Sequence, residues 1–224
     1  MVIRKVLFEQ KEYVVTGEGY EPKGEIKLPI GDKQSISALG EVMGLVYLAL
    51  KADVVHDKDG GWKPSGDPTE VAISVLCRKL GLSKENLERK YKTITANPFD
   101  QQKRFIEAVF EKSEKKYHVF VGAPDFLSKS LKVDHGFASS YHEMAKEGLR
   151  VVGVAIFSED KKKIINWALL AIEEEIRPSV LESIKEAKLA GFMVVMLTGD
   201  YPETARAIAV KVGIFEDGNL VLTG

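Results

Sequence analysis

The feature that most constrains the fold is an apolar run that ends abruptly in small polar residues and continues as a helical pattern. The run extends from Phe192 to Leu197 and is followed by Thr198-Gly199-Asp200. After Pro202, alanine and isoleucine recur at helical spacing. The pattern therefore predicts a buried strand, a tight turn and a helix.

From about Asn166 onward, strand-like and helix-like segments alternate along the chain. The strand-like segments are WALLAI and FMVVML, and the helix-like segments are SVLESIKEAKLAG and PETARAIAVKVG. Strands that alternate with helices are typical of a parallel sheet with crossover helices. We therefore expect an α/β arrangement with parallel strands in this region.

The preceding region, roughly Lys11 to Ile165, shows a different pattern. The β-rich runs RFIEAVFE and KKYHVFVGA are separated by KSE, which predicts a hairpin. An apolar stripe from Ile36 to Leu50 predicts a helix, and a second helical pattern ends at Gly148. This region is therefore predicted to mix strands and helices.

Charge and cysteine content exclude several classes of function. The 224 residues carry a net charge of -1, so there is no overall basic field to hold nucleic acid or an anionic membrane. The single cysteine, Cys77, cannot form an internal disulfide. No apolar run approaches the ~20 residues that span a bilayer. We expect a soluble globular piece that does not bind nucleic acid.

The turn Thr198-Gly199-Asp200 has two open roles. At the edge of a parallel sheet, ligands bind beside the carboxyl ends of strands and the N-termini of the next helices. There, Gly199 would let a ligand approach the backbone, and the helix N–H groups would suit phosphate. Thr and Asp also cap helices well, and Pro202 suits a first helical turn. Both a phosphate site and a capping role fit the pattern.

Two earlier stretches also carry residues with two open roles. In SGDPTEVAISVL, Asp67 and Glu70 are three apart, which predicts a capping box at the start of a helix. In ANPFDQQKR, Phe99 is predicted to lie in a loop before a strand, with Lys103 and Arg104 nearby. An exposed ring beside cations suits a nucleobase and its phosphates. The alternative is that Phe99 is an ordinary core residue.

Six short motifs, in order, resemble the cation-transporting P-type ATPases. They read GDPTE, PFDQQKR, GAPD, EGLR, EEEIRP and MLTGD, and they extend across most of the chain. The resemblance is to the cytoplasmic nucleotide-binding domain and part of the phosphorylation domain. It implies an α/β fold, in which an α+β domain with an antiparallel sheet flanked by helices is inserted into a partial Rossmann-like domain of the haloacid dehalogenase type.

The resemblance divides the chain into residues 1–10 as a remnant of the phosphorylation domain, 11–165 as the nucleotide-binding domain and 166–224 as part of the phosphorylation domain. In the nucleotide-binding domain, Glu70 would face the adenine amino group of ATP and Phe99 would stack on the adenine ring. Arg104 matches a basic position near the nucleotide, and Arg150 would reach the sugar and the phosphates.

In the last part of the chain, the resemblance implies a phosphate-side loop formed by Thr198, Gly199 and Asp200. Glu174 stands where the family usually has Asp in its hinge motif, and Arg177 follows it. The loop would complete the ATP site, and the hinge residues would join the two domains.

The sequence also departs from the family pattern. Val121 stands where the GAP motif usually begins with Lys, so one partly exposed cation near the phosphates is missing. The family's phosphorylated aspartate, in a DKTGT-type motif, does not occur in the chain. The expectation is therefore a fragment of a transporter that binds ATP with its Mg²⁺ but has no catalytic residue and no metal ligand of its own and does not autophosphorylate.

Its implied partners are the remaining domains and transmembrane helices of the parent protein, at the cytoplasmic face of a membrane. Two other functions are open. A phosphatase of the haloacid dehalogenase type would need a DxD-like motif after the first strand, and VIRKVLFEQ contains none. An interaction or regulatory module that keeps the fold without binding ATP would be consistent with Val121.

Overall fold

The computed structural model describes residues 1–27, 33–57, 60–133, 136–159, 163–173, 176, 178–199, 202–216 and 218–222. The strands in these ranges are β1 (Val2–Phe8), β2 (Lys11–Val15), β3 (Ile26–Lys27), β4 (Asp53–His56), β5 (Trp62–Ser65), β6 (Lys92–Asp100), β7 (Phe105–Lys112), β8 (Lys115–Gly122), β9 (Arg150–Phe157) and β10 (Ile164–Glu173). The helices are α1 (Lys33–Ala49), α2 (Pro68–Lys79), α3 (Lys84–Lys90), α4 (Pro124–Leu131), α5 (Phe137–Lys146), α6 (Pro178–Leu189) and α7 (Pro202–Lys211).

Eight of the strands form one antiparallel sheet in the order β3-β2-β1-β10-β9-β8-β7-β6, and β4 and β5 form a separate hairpin. The hairpin predicted around KSE is confirmed as β7 and β8. Its turn residues, Ser113 and Glu114, both have positive φ values, 50° and 63°. Two successive positive φ values are typical of the turn that matches the twist of paired strands.

Helices cover both faces of the sheet, which confirms the predicted α/β class with an antiparallel sheet flanked by helices. On one face, α1, α2 and α3 pack against strand residues such as Phe110 and Val154. On the other, α4 and α5 pack against Phe120 and Phe157. Because successive side chains of a strand point to opposite faces, each central strand contributes to both cores. No helix in the described part of the chain is long and apolar enough to cross a membrane.

The parallel pairing predicted for WALLAI is wrong. This segment belongs to β10, which lies between β9 and β1 and runs antiparallel to both. The turn from β9 to β10 is short, and the Ser158 N–H donates to the Lys163 carbonyl across it at 2.9 Å. A short reversal of this kind joins antiparallel neighbours, whereas a parallel pair needs a long crossover. The division into residues 1–10, 11–165 and 166–224 stays a prediction.

The strand predicted for Phe192 to Leu197 is also wrong. The segment has an irregular backbone, and the Met193 and Leu197 side chains are almost fully exposed. A buried strand needs a hydrogen-bonded neighbour, and no described strand lies beside this segment. The helices predicted on either side of it are present as α6 and α7.

A polar cluster joins α1, β4 and α2. The Asp53 carboxylate accepts hydrogen bonds from the Tyr47 hydroxyl at 2.9 Å and from Arg78, with Nε at 2.9 Å and Nη2 at 3.1 Å. Burial favours a raised pKa for Asp53, but the hydrogen bonds from Arg78, the Val54 N–H and Tyr47 outweigh it, and the pKa is lowered. The cluster fixes the start of β4 against the helix whose first turn carries Glu70.

Replacing Asp53 with Asn should destabilise the fold at neutral pH by about 1–3 kcal/mol, because Arg78 loses its charged partner. The folded-state pKa of Asp53 is below its unfolded value, so its contribution is present above about pH 4 and is lost as pH falls through the folded pKa. Urea unfolding at neutral pH and in acid should show the difference between wild type and Asp53→Asn shrinking in acid. A difference that does not change with pH would contradict an ionic role.

Candidate functional site

A cavity of about 320 Å³ opens between the first turn of α2 and the adjoining ends of β6, β7, β8 and β9. Its volume is in the range of small-molecule pockets, ~300–1,000 Å³. Five residues that the sequence analysis assigned to ATP line it, namely Glu70, Phe99, Arg104, Arg150 and Gly199. The fold therefore brings together residues from four separate stretches of the chain.

Of the other predicted residues, only Thr198 lies within the described part of the chain. Thr198 precedes Gly199 in the chain but does not contribute to the cavity wall. Asp200 and the two predicted hinge residues, Glu174 and Arg177, lie outside the described residues.

The helix α2 begins at the cavity, and Asp67 caps it. The Asp67 Oδ1 atom accepts from the backbone N–H of Thr69 at 2.9 Å and of Glu70 at 3.1 Å. Pro68 occupies the first helical position, where a missing N–H costs nothing. The capping role predicted for Asp67 is confirmed.

Glu70 does not complete the predicted capping box. Its Oε2 atom instead accepts from the backbone N–H groups of Lys51 at 2.8 Å and Ala52 at 3.1 Å, in the segment between α1 and β4. Hydrogen bonds from backbone N–H groups to a carboxylate are charge-assisted and hold its orientation. Since both use Oε2, Oε1 is the oxygen through which Glu70 can accept from a ligand.

Phe99 is half-exposed, at 50%, so the alternative that it is a core residue is wrong. Its predicted place in a loop is also wrong, because it lies within the edge strand β6. The pairing of β6 with β7 is irregular between Asn97 and Asp100. An irregularity of this kind re-aims side chains, which explains how a strand residue presents its ring to the cavity.

Arg104 is positioned by the turn between β6 and β7. It adopts a left-handed conformation with φ 56°, and its carbonyl accepts from the Ala123 N–H at 3.0 Å. Its guanidinium donates to Oδ2 of Asp125 on α4 at 3.3 Å. A Cβ on Gly122 would lie 2.3 Å from the Arg104 carbonyl oxygen, so glycine is required at that position of the GAP motif.

Val121 is not the partly exposed position that the sequence analysis expected. It is buried, at 2% exposure, and belongs to the core on the α1 face together with Ile106 and Val154. It also lines the cavity, so it lies between the core and the cavity. A lysine here could reach water or a ligand only by extending into the cavity.

The charged residues of the described lining are Asp67, Glu70, Arg104 and Arg150. The rest of the lining is largely apolar, and the sequence analysis missed it. Tyr141 of α5 and Leu149 before β9 are among these residues, and both are buried. Helical periodicity predicts α5, but the pattern cannot indicate that one edge of its apolar face borders a cavity.

Fold and cavity together define an α/β domain with an antiparallel sheet and a cavity lined by apolar and charged residues. The family model described as "P-type ATPase, cytoplasmic domain N" matches residues 39–189. This range holds the whole described lining of the cavity except Gly199 and Thr204. The chain belongs to the P-type ATPase family.

Named relatives agree with this assignment. The "Calcium-transporting ATPase" of Bacillus subtilis (strain 168) is 30% identical over 100% of this chain, which covers 28% of that protein. "Calcium-transporting ATPase 1" of Lactococcus lactis subsp. lactis (strain IL1403) is 28% identical over 71% of the chain and 21% of its own length. The "Sodium/potassium exporting P-type ATPase cta3" of Schizosaccharomyces pombe is 29% identical over 87% of the chain and 21% of its own length. The chain thus spans less than a third of each of these relatives.

The burial of Val121 predicts the outcome of restoring the family's lysine. Val121→Lys should destabilise the ligand-free protein by at least about 2 kcal/mol, because an ammonium at this position is partly desolvated. Val121→Met is the matched control, since it is also long and flexible but uncharged. Enlarging a packed core residue costs about 1–3 kcal/mol by itself, so the additional loss of stability in Val121→Lys measures the cost of the charge. Thermal melting of both variants gives the comparison. Equal losses would mean that size, rather than charge, determines what this position accepts.

Proposed function

We propose that this chain binds ATP in the cavity between α2 and the ends of β6–β9, as the ATP-binding part of a P-type cation-transporting ATPase. The observation that carries the proposal is that five residues matching the family's nucleotide positions, spread from Glu70 to Gly199, line one cavity. The size of the cavity and its mixture of apolar and charged lining residues agree with a nucleotide ligand.

The base would be held by Phe99 and Glu70. The half-exposed ring of Phe99 offers a face for stacking with adenine, a contact that any base can make. Glu70 would supply the selectivity, because a carboxylate oxygen accepts from the adenine amino group but repels the carbonyl oxygen that replaces it in inosine. The contacts to Lys51 and Ala52 would hold Glu70 in place for this role.

The phosphates would be held by cations and backbone. Arg104 and Arg150 can donate charge-assisted hydrogen bonds to phosphate oxygens. Gly199 allows a close approach of the backbone, and Thr198 and Asp200 would complete this loop. ATP would carry Mg²⁺, which neutralises charge on the triphosphate and is usually bound through the phosphates and one or two carboxylates.

In the whole protein, the bound ATP would serve ion transport. We propose that residues 11–165 act as the nucleotide-binding domain, and that residues 1–10 and 166–224 belong to a phosphorylation domain of the haloacid dehalogenase type, joined through a hinge at Glu174 and Arg177. Domain closure would bring the γ-phosphate to an aspartate in another part of the transporter. This places the chain at the cytoplasmic face of a membrane, with the remaining domains and transmembrane helices as its partners.

One observation favours a second function. Val121 stands where the family pattern has a lysine, so the cavity has one cation fewer to bind phosphate. A domain that keeps the fold but serves only as an interaction or regulatory module would show no saturable ATP binding. Titration calorimetry with ATP and Mg²⁺ separates the two functions.

Phe99→Ala tests the base-binding half of the proposal. Loss of one stacking ring should weaken ATP binding by about ten- to a hundredfold, corresponding to ~1–3 kcal/mol. The melting temperature should change little, because the ring is half-exposed. Ile94→Ala is the matched control, since Ile94 lies on the same strand, is 41% exposed and does not line the cavity. The site is wrong if both variants bind ATP like the wild type.

Glu70→Gln tests the selectivity of the site. Glutamine keeps a carbonyl oxygen that can accept from Lys51 and Ala52, but it presents an NH₂ group in place of the free carboxylate oxygen. ATP binding should weaken by about three- to tenfold, the loss of one hydrogen bond, while inosine triphosphate should bind as well as before or better. Equal losses of affinity for ATP and inosine triphosphate would mean that Glu70 has a purely structural role.

A further inference from the structure

The Glu70 carboxylate depends on a backbone segment far away in the chain. The two N–H groups that hold its Oε2 atom belong to Lys51 and Ala52, 19 and 18 residues earlier. Their distance from Glu70 is therefore set by the packing of the α1–β4 segment against the start of α2. The contacts that fix this packing therefore also fix the orientation of the Glu70 carboxylate.

The segment between α1 and β4 is held from several sides. The Lys84 ammonium donates to the Leu50 carbonyl at 3.0 Å. Ala52 is buried at 2% exposure, in a small core with Val71 and Val75 of α2. These contacts keep the segment beside α2. A further contact limits how closely the segment can approach the start of α2.

Gly66 allows Ala52 to lie very close to the start of α2. It follows β5 directly, next to the pair Asp53–Ser65 at the open end of the β4–β5 hairpin, and it precedes the cap Asp67. A Cβ on Gly66 would lie 2.6 Å from the Ala52 Cβ and 2.9 Å from the Ala52 Cα. Its φ value of +107° also favours glycine. Any side chain here must shift Ala52, and with it the N–H group that donates to Glu70.

We infer that the contact between Gly66 and Ala52 is a positioning contact for base selection, which holds the Lys51 and Ala52 N–H groups at the distance that orients Glu70. Neither Gly66 nor Ala52 lines the cavity, so both act through Glu70. This inference rests on the proposed ATP-binding function and adds to it a structural reason for the glycine in GDPTE. According to this inference, the site prefers a base with an amino group over one with a carbonyl because the Gly66–Ala52 contact holds Glu70 in position.

The test is the ratio of affinities for ATP and inosine triphosphate in Gly66→Ala. Displacement of Ala52 should let Glu70 turn away, and the preference for ATP should fall about three- to tenfold, as for Glu70→Gln. Affinity for inosine triphosphate should change less than affinity for ATP. A structural defect alone would weaken both nucleotides equally.

Gly81→Ala is the matched control. Gly81 follows the other end of α2, has φ +74°, and has open space around its Cβ position. The substitution therefore introduces backbone strain without a collision, and it should lower the melting temperature while leaving the nucleotide preference unchanged. Loss of the preference in Gly81→Ala as well would overturn the inference.

Relief of the collision should restore the preference. In Gly66→Ala combined with Ala52→Gly, the nearest colliding atom, the Ala52 Cβ, is removed, and part of the ATP preference should return. If Gly66→Ala does not fold, Ala52→Val applies pressure to the same contact from the other side and keeps Gly66 unstrained. It should then reduce the preference as well.

The outcomes separate this inference from the function on which it rests. If the wild type does not prefer ATP, or if Glu70→Gln does not change the preference, the proposed role of Glu70 fails. If Glu70→Gln abolishes the preference but both Gly66→Ala and Ala52→Val retain it, only the positioning contact is wrong.

Discussion

The pairing of β10 with both β9 and β1 holds the two halves of the eight-stranded sheet together. It pairs Val2 with Glu173, two residues that lie far apart in the chain, and so brings together the ends of the long segment between them. Within that segment, α1–α3 cover one face of the sheet and α4 and α5 cover the other. Because the central strands supply both cores, the cavity is built on the ends of strands that cannot shift independently.

Local chemistry made much of this fold predictable. Asp67 and Pro68 open α2 because their side chains suit the first turn of any helix, whatever lies around it. The hairpin of β7 and β8 was also evident from its strand and turn residues. The partners of β10 were not predictable, because an apolar run predicts a strand but not the strands beside it. The hairpin that β10 forms with β9 determines the pairing.

Only part of the membership of the candidate site was predictable from the sequence, and less of its geometry. Motif matches identified Glu70, Phe99, Arg104, Arg150 and Gly199, which line one cavity. Sequence could not reveal that Glu70 bonds to Lys51 and Ala52, because that contact depends on the packing of two distant segments. Nor could it reveal that Val121 is buried, since its exposure is set by the helices that cover β8. Long-range packing, rather than local pattern, determines both.

The central claim is that this cavity binds a nucleotide with its base against Phe99. The most direct measurement is the set of intermolecular nuclear Overhauser effects between the adenine protons and the protein, at saturating ATP and Mg²⁺. We expect effects from the adenine protons to the ring of Phe99 and to the neighbouring apolar lining of the cavity, including Ile73. Saturable binding with effects only to residues outside the lining would contradict it.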